Sequence, residues 1–323
     1  MKIGFIGLGN VGGKLCGSLL RNGIDLTVRD LEPALVRKFV DLGAKPGGSP
    51  AGMMRECDVV ITCLPSPAAS AEVVEGPDGL LEGVVKGKIW LEMSTTDEAE
   101  VRRLGARIAA RGGAAVDCPV SGGCHRAASG NISIFAGCGR ATFERILPLL
   151  TIMGRRILHT GDLGSASLLK VMTNYLATAN LLTCCEAMVT MKAAGLDLNT
   201  TFEAIRISSG NSFVHETESQ VILNGSRDIS FTMDLVKKDI GLFQAIAERH
   251  DIPLEISPLM IEIFRDGIER YGARAQSDDI IRRLEDATGL DITAPGFPAE
   301  MLDAEPEEPG YEVSPQGRSA ATV

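Results

Sequence analysis

The chain opens with a short apolar strand and a glycine-rich turn, KIGFIGLGNVG at residues 2–12. Val11, Leu15 and Leu19 then repeat every four residues, which is the spacing of one helix face. A second apolar run ends at Asp30, 18 residues beyond the last glycine. This order and spacing predict a dinucleotide-binding βαβ unit, whose glycines admit a pyrophosphate and whose acid bonds the adenine ribose. An ordinary strand-to-helix turn is the alternative, because glycine triplets also arise by chance.

The predicted cofactor is NAD. The predicted contacts of the turn are Gly7, Leu8, Gly9, Asn10, Val11 and Gly12. Asp30 favours NAD over NADP, because a carboxylate accepts from both ribose hydroxyls and repels a 2′-phosphate. Arg29 offers the opposite choice, since adjacent strand residues face opposite sides and only one of the two faces the ribose.

Strand and helix patterns alternate as far as residue 161. Further strands are predicted at residues 58–64, 88–93, 114–117, 132–136 and 157–159. Thr95 and Glu98 have the spacing of a capping box for the helix that follows the second of these strands. Repeated units of this kind predict an α/β fold, a Rossmann-type doubly wound parallel sheet over residues 1–161.

The rest of the chain predicts two further parts. Residues 162–290 form one helical pattern after another, which predicts an all-α domain for substrate binding and dimerisation. Residues 291–323 contain five prolines, seven acids and one base, so they contribute −6 to the net charge of −10. This acidic, proline-rich tail is expected to be disordered.

Composition narrows the class of partner and the compartment. A net charge of −10 argues against nucleic acid or an anionic membrane as a partner. The eight cysteines form no CxxC pair and no metal-ligand spacing with histidine, so reduced thiols, a cytoplasmic location and no metal are expected. No apolar run approaches the roughly 18 residues of a membrane-spanning helix.

A lysine and an asparagine lie within the long apolar segment at residues 161–195. Lys170 and Asn174 are four residues apart, so a helix places them on one face. A lysine that leaves water loses solvation, which favours a functional reading of a buried one. The alternative is that Lys170 extends to the surface, as most helical lysines do.

A second polar feature is the turn DCPVSGG at residues 117–123. A proline and two adjacent glycines after a strand can direct successive N–H groups at an anion, and Ser121 adds a hydroxyl donor. A purely structural loop fits the same residues.

Four motifs in this order make the chain resemble the β-hydroxyacid dehydrogenases, the family that includes 3-hydroxyisobutyrate dehydrogenase and tartronate semialdehyde reductase. They are GFIGLGNVG (4–12), DCPVSGG followed by SGN (117–123 and 129–131), GSASLLKVMTN (164–174) and FTMDLVKKD (231–239). The resemblance extends from residue 1 to about residue 290 and leaves out the tail.

The resemblance implies a role for particular residues. Lys170 corresponds to the catalytic lysine and Asn174 to the substrate-binding asparagine. The loop that holds the substrate carboxylate corresponds to Ser121, Gly122 and Gly123. Cofactor contacts correspond to Leu64, Pro65, Thr95 and, near the nicotinamide, Lys238.

Two positions depart from the family pattern. Thr173 stands where the family usually has a second asparagine, and His125-Arg126 stand where it commonly has Gly-Ala. We hypothesise that Arg126 binds a polar or anionic group at the far end of the substrate, which a guanidinium does well. The alternative is that Arg126 points outward and only solubilises the loop.

The sequence and the resemblance together predict an NAD-dependent dehydrogenase that moves hydride to or from a small 3-hydroxy acid, with Lys170 as general acid and base. A semialdehyde reductase working in the opposite direction and a non-catalytic NAD-binding redox sensor are the alternatives. The expected assembly is a homodimer or homotetramer.

Overall fold

A computed structural model describes residues 1–315, which divide into two compact units. Among the described residues, the first unit contains residues 1–170 and 303–315, and the second contains Val171–Leu302. The division therefore falls inside the long apolar segment, and residues 303–315 belong to the first unit.

One sheet of ten strands forms the centre of the first unit. Its strands are Ile3–Ile6 (β1), Leu26–Arg29 (β2), Lys45–Pro46 (β3), Val59–Thr62 (β4), Ile89–Glu92 (β5), Ala114–Asp117 (β6), Val120–Ser121 (β7), Ile132–Gly137 (β8), Gly154–Gly161 (β9) and Tyr311–Glu312 (β10). They lie in the order β10-β9-β8-β6-β5-β4-β1-β2-β3, with β7 paired to β8. The strands from β3 to β6 run parallel in the 3-2-1-4-5-6 order of a Rossmann fold, which confirms the predicted doubly wound sheet.

Strand β8 is the departure from a purely parallel sheet, because it runs antiparallel to β6. It pairs in parallel with β9, which in turn pairs in parallel with β10. The connection between β6 and β8 contains the short strand β7 and one small helix, Gly123–Ser129.

Helices cover both faces of the sheet. They are Asn10–Arg21 (α1), Pro33–Asp41 (α2), Pro50–Glu56 (α3), Pro67–Glu75 (α4), Leu80–Gly83 (α5), Glu98–Ala109 (α6), Gly123–Ser129 (α7) and Arg140–Met153 (α8). Along β1, Ile3 and Phe5 belong to one apolar cluster and Ile6 to another, which is the alternation of a strand buried on both faces.

The start of α6 differs from the predicted capping box. Its N-cap is Asp97, whose carboxylate accepts from the N–H groups of Ala99 and Glu100. Thr95 therefore lies before the helix. Aspartate and threonine are both favourable N-cap residues, and the loop geometry decides between them.

The second unit is helical, as predicted. Helix Ser165–Ala193 (α9) leads into it, followed by Leu198–Arg206 (α10), Phe213–Asn224 (α11), Met233–Arg249 (α12), Ile256–Tyr271 (α13), a 3-10 helix at Ser277–Ile281 and Arg282–Thr288 (α14). Its core is apolar, with Met188, Ile222, Ile240 and Phe264 fully buried. Between residues 171 and 302, all described, no strand is present.

The expectation of a disordered tail is wrong for residues 291–315; residues 316–323 lie outside the described part. Ile292 is fully buried and Phe297 packs edge-on against Phe202, both in the helical unit. Beyond Asp303 the tail joins the first unit and adds β10. The acidic, proline-rich composition predicted disorder, but several acids of the tail pair with guanidinium groups, for example Glu312 at 2.5 Å from Arg140.

Helix α9 starts at a buried carboxyl group. Asp117, the last residue of β6, is fully buried and accepts from the N–H groups of Gly164 and Ser167, each at 2.8 Å. These donors at a helix start have no acceptor inside the helix. Burial raises the pKa of the Asp117 carboxyl group, and the bonds from Gly164 and Ser167 oppose that shift. Asp117 thus joins the end of β6 to the start of α9.

We expect Asp117→Ala to lower the free energy of unfolding by about 2 to 4 kcal/mol, because two buried N–H groups lose their acceptors. Chemical denaturation followed by circular dichroism measures the change. The control, Asp97→Ala, removes the more accessible N-cap of α6 and should cost about 1 kcal/mol. Equal losses in the two variants would contradict the importance of burial at Asp117.

Candidate active site

The glycine turn between β1 and α1 has the geometry of a dinucleotide-binding loop. Gly7 has a φ of +98°, and a side chain there would place Cβ 2.2 Å from the carbonyl oxygen of Cys63. A Cβ on Gly12 would lie 2.1 Å from the carbonyl oxygen of Gly7, so glycine allows α1 to pack closely on the strand. Gly9 has nothing within 4 Å of its Cβ position, which leaves the backbone open to a ligand. These are the three roles of glycine in a pyrophosphate-binding turn.

Asp30 lies directly beside this turn. Its Oδ2 accepts from the N–H of Leu8 at 2.6 Å, and its Oδ1 accepts from the N–H of Glu32 at 2.9 Å. Arg29 points elsewhere and donates to the carbonyl oxygen of Gly48 at 2.7 Å. Of the two neighbours, it is Asp30 that the structure brings to the turn.

The loops after β4 and β5 are joined by a buried carboxyl group that was not singled out in the sequence. The Ser94 hydroxyl accepts from the N–H of Leu64 at 2.7 Å, and it donates to Oε1 of the fully buried Glu92. Burial raises the pKa of Glu92, and its hydrogen bonds oppose the shift. Leu64-Pro65 and Thr95 therefore belong to loops that one side-chain pair holds together at the carboxyl edge of the sheet. In the sequence, the signal for this bond was an acid at the end of an apolar strand, Glu92, two positions before Ser94.

The predicted acid-binding loop has a backbone that requires its glycines. Gly122 has a φ of +127° and Gly123 a φ of +86°, both in the region that side chains disfavour. Ser121 ends β7 just before them, opposite Ser133 of β8. The loop is thus a defined turn that leads directly into α7.

Arg126 on α7 has a partner within the chain. Its Nη2 lies 3.2 Å from Oε1 of Glu305 in the tail. This ion pair joins Arg126 to the tail, which was expected to be disordered. Burial lowers the pKa of the neighbouring His125, and the nearby charge of Arg126 acts in the same direction.

Lys170 is buried. It lies on α9 in the turn that follows Ser167, and only 8% of its surface is accessible. A lysine that extended to the surface would be far more exposed, so the surface alternative does not describe this residue. Asp117 accepts the hydrogen bonds that hold the start of the helix on which Lys170 lies.

In the helical unit, a buried aspartate joins two predicted site residues. Asn174 Nδ2 donates to Oδ2 of Asp239 at 2.5 Å, and Lys238 Nζ lies 2.9 Å from Oδ1 of the same carboxylate. Asp239 is 2% exposed. It was not predicted as a site residue, although it directly follows Lys238 in the FTMDLVKKD motif.

Residues 1–315 show neither a group of side chains placed to hold a metal ion nor a helix suited to cross a membrane. The structure there has no group of three or more histidine, cysteine, aspartate or glutamate side chains placed to hold a metal ion. None of the helices in this range combines the length and the apolar character needed to cross a membrane. All eight cysteines are free thiols.

Family models match both parts of the chain. Residues 2–161 match the model described as the NAD binding domain of 6-phosphogluconate dehydrogenase. Residues 164–284 match the model described as the NAD-binding of NADP-dependent 3-hydroxyisobutyrate dehydrogenase. Both matches end before the tail.

Individual proteins agree with these models. The chain is 32% identical to 2-(hydroxymethyl)glutarate dehydrogenase of Eubacterium barkeri over 294 residues, 91% of this chain and 98% of that one. It is 32% identical to NAD-dependent L-serine dehydrogenase of Pseudomonas aeruginosa, covering 89% of this chain and 98% of that one. The fold is similar to that of Mycobacterium tuberculosis 3-hydroxyisobutyrate dehydrogenase solved with L-serine, with a TM-score of 0.78, 24% identity and coverage of 88% and 98%. The chain belongs to the β-hydroxyacid dehydrogenase family.

Proposed function

We propose that the protein is an NAD-dependent dehydrogenase that oxidises a small 3-hydroxy acid, with Lys170 as the general acid and base. The observation that carries this proposal is the burial of Lys170 on a helix whose start is bonded to Asp117. Asp117 also precedes the loop at residues 121–123, so one carboxyl group connects the proposed proton acceptor to the proposed acid-binding turn.

The names of the relatives indicate a substrate class. They contain 2-(hydroxymethyl)glutarate, 3-hydroxyisobutyrate and L-serine. Each compound has a carboxylate and a hydroxymethyl group on the same carbon, and the three differ in the remaining substituent. We therefore expect a substrate of the form HOCH2–CHR–COO⁻, in which R is undetermined.

The loop at residues 121–123 suits the carboxylate of such a substrate. Its two glycines can each present an N–H group, and the Ser121 hydroxyl is a third donor. Consecutive N–H groups in a positive-φ turn form a concave anion-binding surface. Charge-assisted bonds of this kind are the stronger class of hydrogen bond.

The glycine turn and Asp30 fit NAD. The open backbone at Gly9 suits the pyrophosphate, and Asp30 would accept from the adenine ribose hydroxyls. Leu64, Pro65 and Thr95 would line the cofactor along the strand ends. The bound nicotinamide supplies a hydride acceptor in oxidation and a hydride donor in reduction.

Lys170 would move the proton. Its neutral amine takes the proton of the substrate hydroxyl during oxidation, and its ammonium returns the proton during reduction. Because one residue serves both directions, a semialdehyde reductase with the same residues is the second candidate.

Asn174 would bind the substrate hydroxyl, and Asp239 would position Asn174. With Nδ2 bonded to Asp239, the amide plane is restricted and its remaining polar groups have a defined direction. The same carboxylate holds Lys238, which the family resemblance assigns to the nicotinamide.

The direct test is NADH formation by the purified protein with a panel of 3-hydroxyisobutyrate, L-serine and 2-(hydroxymethyl)glutarate. Turnover of one or more of these acids is expected. A non-catalytic NAD-binding sensor would bind NAD without forming NADH with any of them, and that result would sink the proposal.

Lys170→Ala should lower kcat by roughly 10² to 10⁴, the usual contribution of general acid–base catalysis. NAD affinity, measured by fluorescence titration, should stay within about twofold, because the substitution leaves the glycine turn unchanged. Lys192→Ala is the control, since Lys192 lies in the last turn of the same helix. If Lys170→Ala and Lys192→Ala turn over alike, Lys170 is not the acid and base.

Asn174→Ala should raise KM for the hydroxy acid and lower kcat, because it removes a proposed hydrogen bond to the reacting hydroxyl. Steady-state kinetics with the substrate and NAD varied separately measure both effects. Asn180→Ala on the same helix is the control and should change neither. A loss of thermal stability without any kinetic change would assign Asn174 a structural role only.

Asp30→Ala should weaken NAD and narrow the preference over NADP, since it removes ribose hydrogen bonds worth about 1 to 3 kcal/mol. The measurement is kcat/KM for both cofactors in wild type and variant. Arg29→Ala should leave the preference unchanged. A wild type that prefers NADP would show that Arg29, rather than Asp30, sets cofactor choice.

A further inference from the structure

The part of the tail at residues 303–307 contacts α7, the helix that follows the proposed acid-binding loop. Asp303 Oδ2 accepts from the Ser129 hydroxyl and, at 2.7 Å, from Nδ2 of Asn131. The same Nδ2 donates to the carbonyl oxygen of Glu305 at 2.9 Å. Asn131 is fully buried, so the tail supplies both acceptors for an Nδ2 group that is removed from water.

Ion pairs extend this contact along α7. The Arg126 guanidinium lies 3.2 Å from the Glu305 carboxylate. Arg21 at the end of α1 donates to the carbonyl oxygen of Ala128 at 2.7 Å and also lies 3.3 Å from the Glu307 carboxylate. The tail therefore contacts α7 at its middle and at its end.

Helix α7 packs against α1 but has little fully buried surface. The helix has seven residues, of which Ala127 alone is buried. Short helices are marginal in water and depend on tertiary contacts for their position. The polar contacts with the tail therefore add to the packing on α1 in holding α7 in position.

The position of α7 determines the position of the loop before it. Gly123 is the first residue of α7 and Gly122 is its N-cap. A shift of the helix therefore moves both N–H groups of the proposed carboxylate-binding turn. Misplacement by about 1 Å is enough to weaken such a site substantially.

We propose that Asp303 and Glu305 are positioning residues, which hold α7 so that the loop at residues 121–123 is arranged for the substrate carboxylate. This proposal rests on the proposed function, because the carboxylate is the ligand assigned to that loop. Both family models match residues that end at 284 or earlier, so the positioning comes from a segment outside the matched domains.

Charge complementarity supports a permanent contact. Burial raises the pKa of Asp303, but the hydrogen bonds from Ser129 and Asn131 and the charge of Arg126 outweigh burial and lower it overall. The carboxylate is therefore ionised at neutral pH, where it accepts both bonds at once.

The test compares Asp303→Ala, Asp303→Asn and Glu308→Ala with wild type in the full chain. Asp303→Asn keeps an oxygen that can accept from Ser129 and Asn131. Glu308→Ala removes a tail acid that pairs with Arg155 instead of α7, which makes it the matched control. Kinetics use the acid of the panel above that the wild type oxidises fastest, and hydrogen exchange is followed in peptides that cover residues 121–131.

Asp303→Ala should raise KM for the hydroxy acid by about tenfold, with kcat changed less than about threefold and KM for NAD unchanged. Amide exchange at residues 121–131 should become at least about tenfold faster, because the helix opens locally more often. Asp303→Asn should recover most of both effects, and Glu308→Ala should show neither.

Several outcomes would overturn the proposal. A lower Tm with unchanged exchange at residues 121–131 would mean that the tail only stabilises the fold. Equal rises in KM for the acid and for NAD would mean a general disturbance. If the wild type oxidises no acid of the panel, the proposed function fails, and exchange at residues 121–131 then decides by itself whether the tail positions the loop.

Discussion

The buried carboxyl group of Asp117 is the constraint on which the proposed active site depends. It ends β6, accepts from two N–H groups at the start of α9, and lies four positions before the first residue of the acid-binding loop. Its neighbour on β8 must be Gly137, because a Cβ there would lie 2.2 Å from Oδ1 of Asp117. Removing a buried acceptor leaves its donors without partners, which is more costly than the net gain of forming the bonds. The Asp117 side chain therefore links the helix that carries Lys170 to the strand that leads into the loop.

Asp117 is one of three acids that act alike at the carboxyl edge of the sheet. Asp30 follows β2 and bonds the glycine turn, and Glu92 ends β5 and bonds the serine that holds Leu64. In open parallel sheets, ligands bind at this edge, which is formed by the loops that follow the strands. Asp30 and Asp117 accept hydrogen bonds directly from N–H groups of neighbouring segments, and Glu92 is bonded to Ser94, which accepts from such a group. Each acid thereby holds neighbouring loops in position. The three acids follow or end strands that lie in one sheet, so their spacing comes from the strand order.

The structure of the tail differs from what its composition predicted. Five prolines and seven acids in residues 291–323 predicted a disordered segment. In the structure, Glu305, Glu307 and Glu312 each face an arginine of the first unit. Exposed ion pairs are individually weak, but several of them along one segment, joined by the buried Asn131 and by strand β10, are enough to order it. The partners lie more than 150 positions earlier in the chain, as with Arg140 and Glu312, and local composition does not reveal them.

Local pattern determined the architecture of this protein. The alternation of apolar strands and four-residue helix spacing predicted the Rossmann-type unit and the helical unit, because both periods arise within a few residues of backbone. Short motifs and their order predicted the glycine turn and Asp30, and the resemblance that these motifs carry implied roles for Lys170 and Asn174. Tertiary structure decided the rest. Several contacts are hydrogen bonds whose geometry depends on how the elements pack. They are the Asp97 cap, the bond from Asn174 to Asp239, the pairing of Arg126 with Glu305 and the other contacts of the tail. A hydrogen bond requires its atoms within about 3 Å, and sequence spacing constrains that distance only inside a single element.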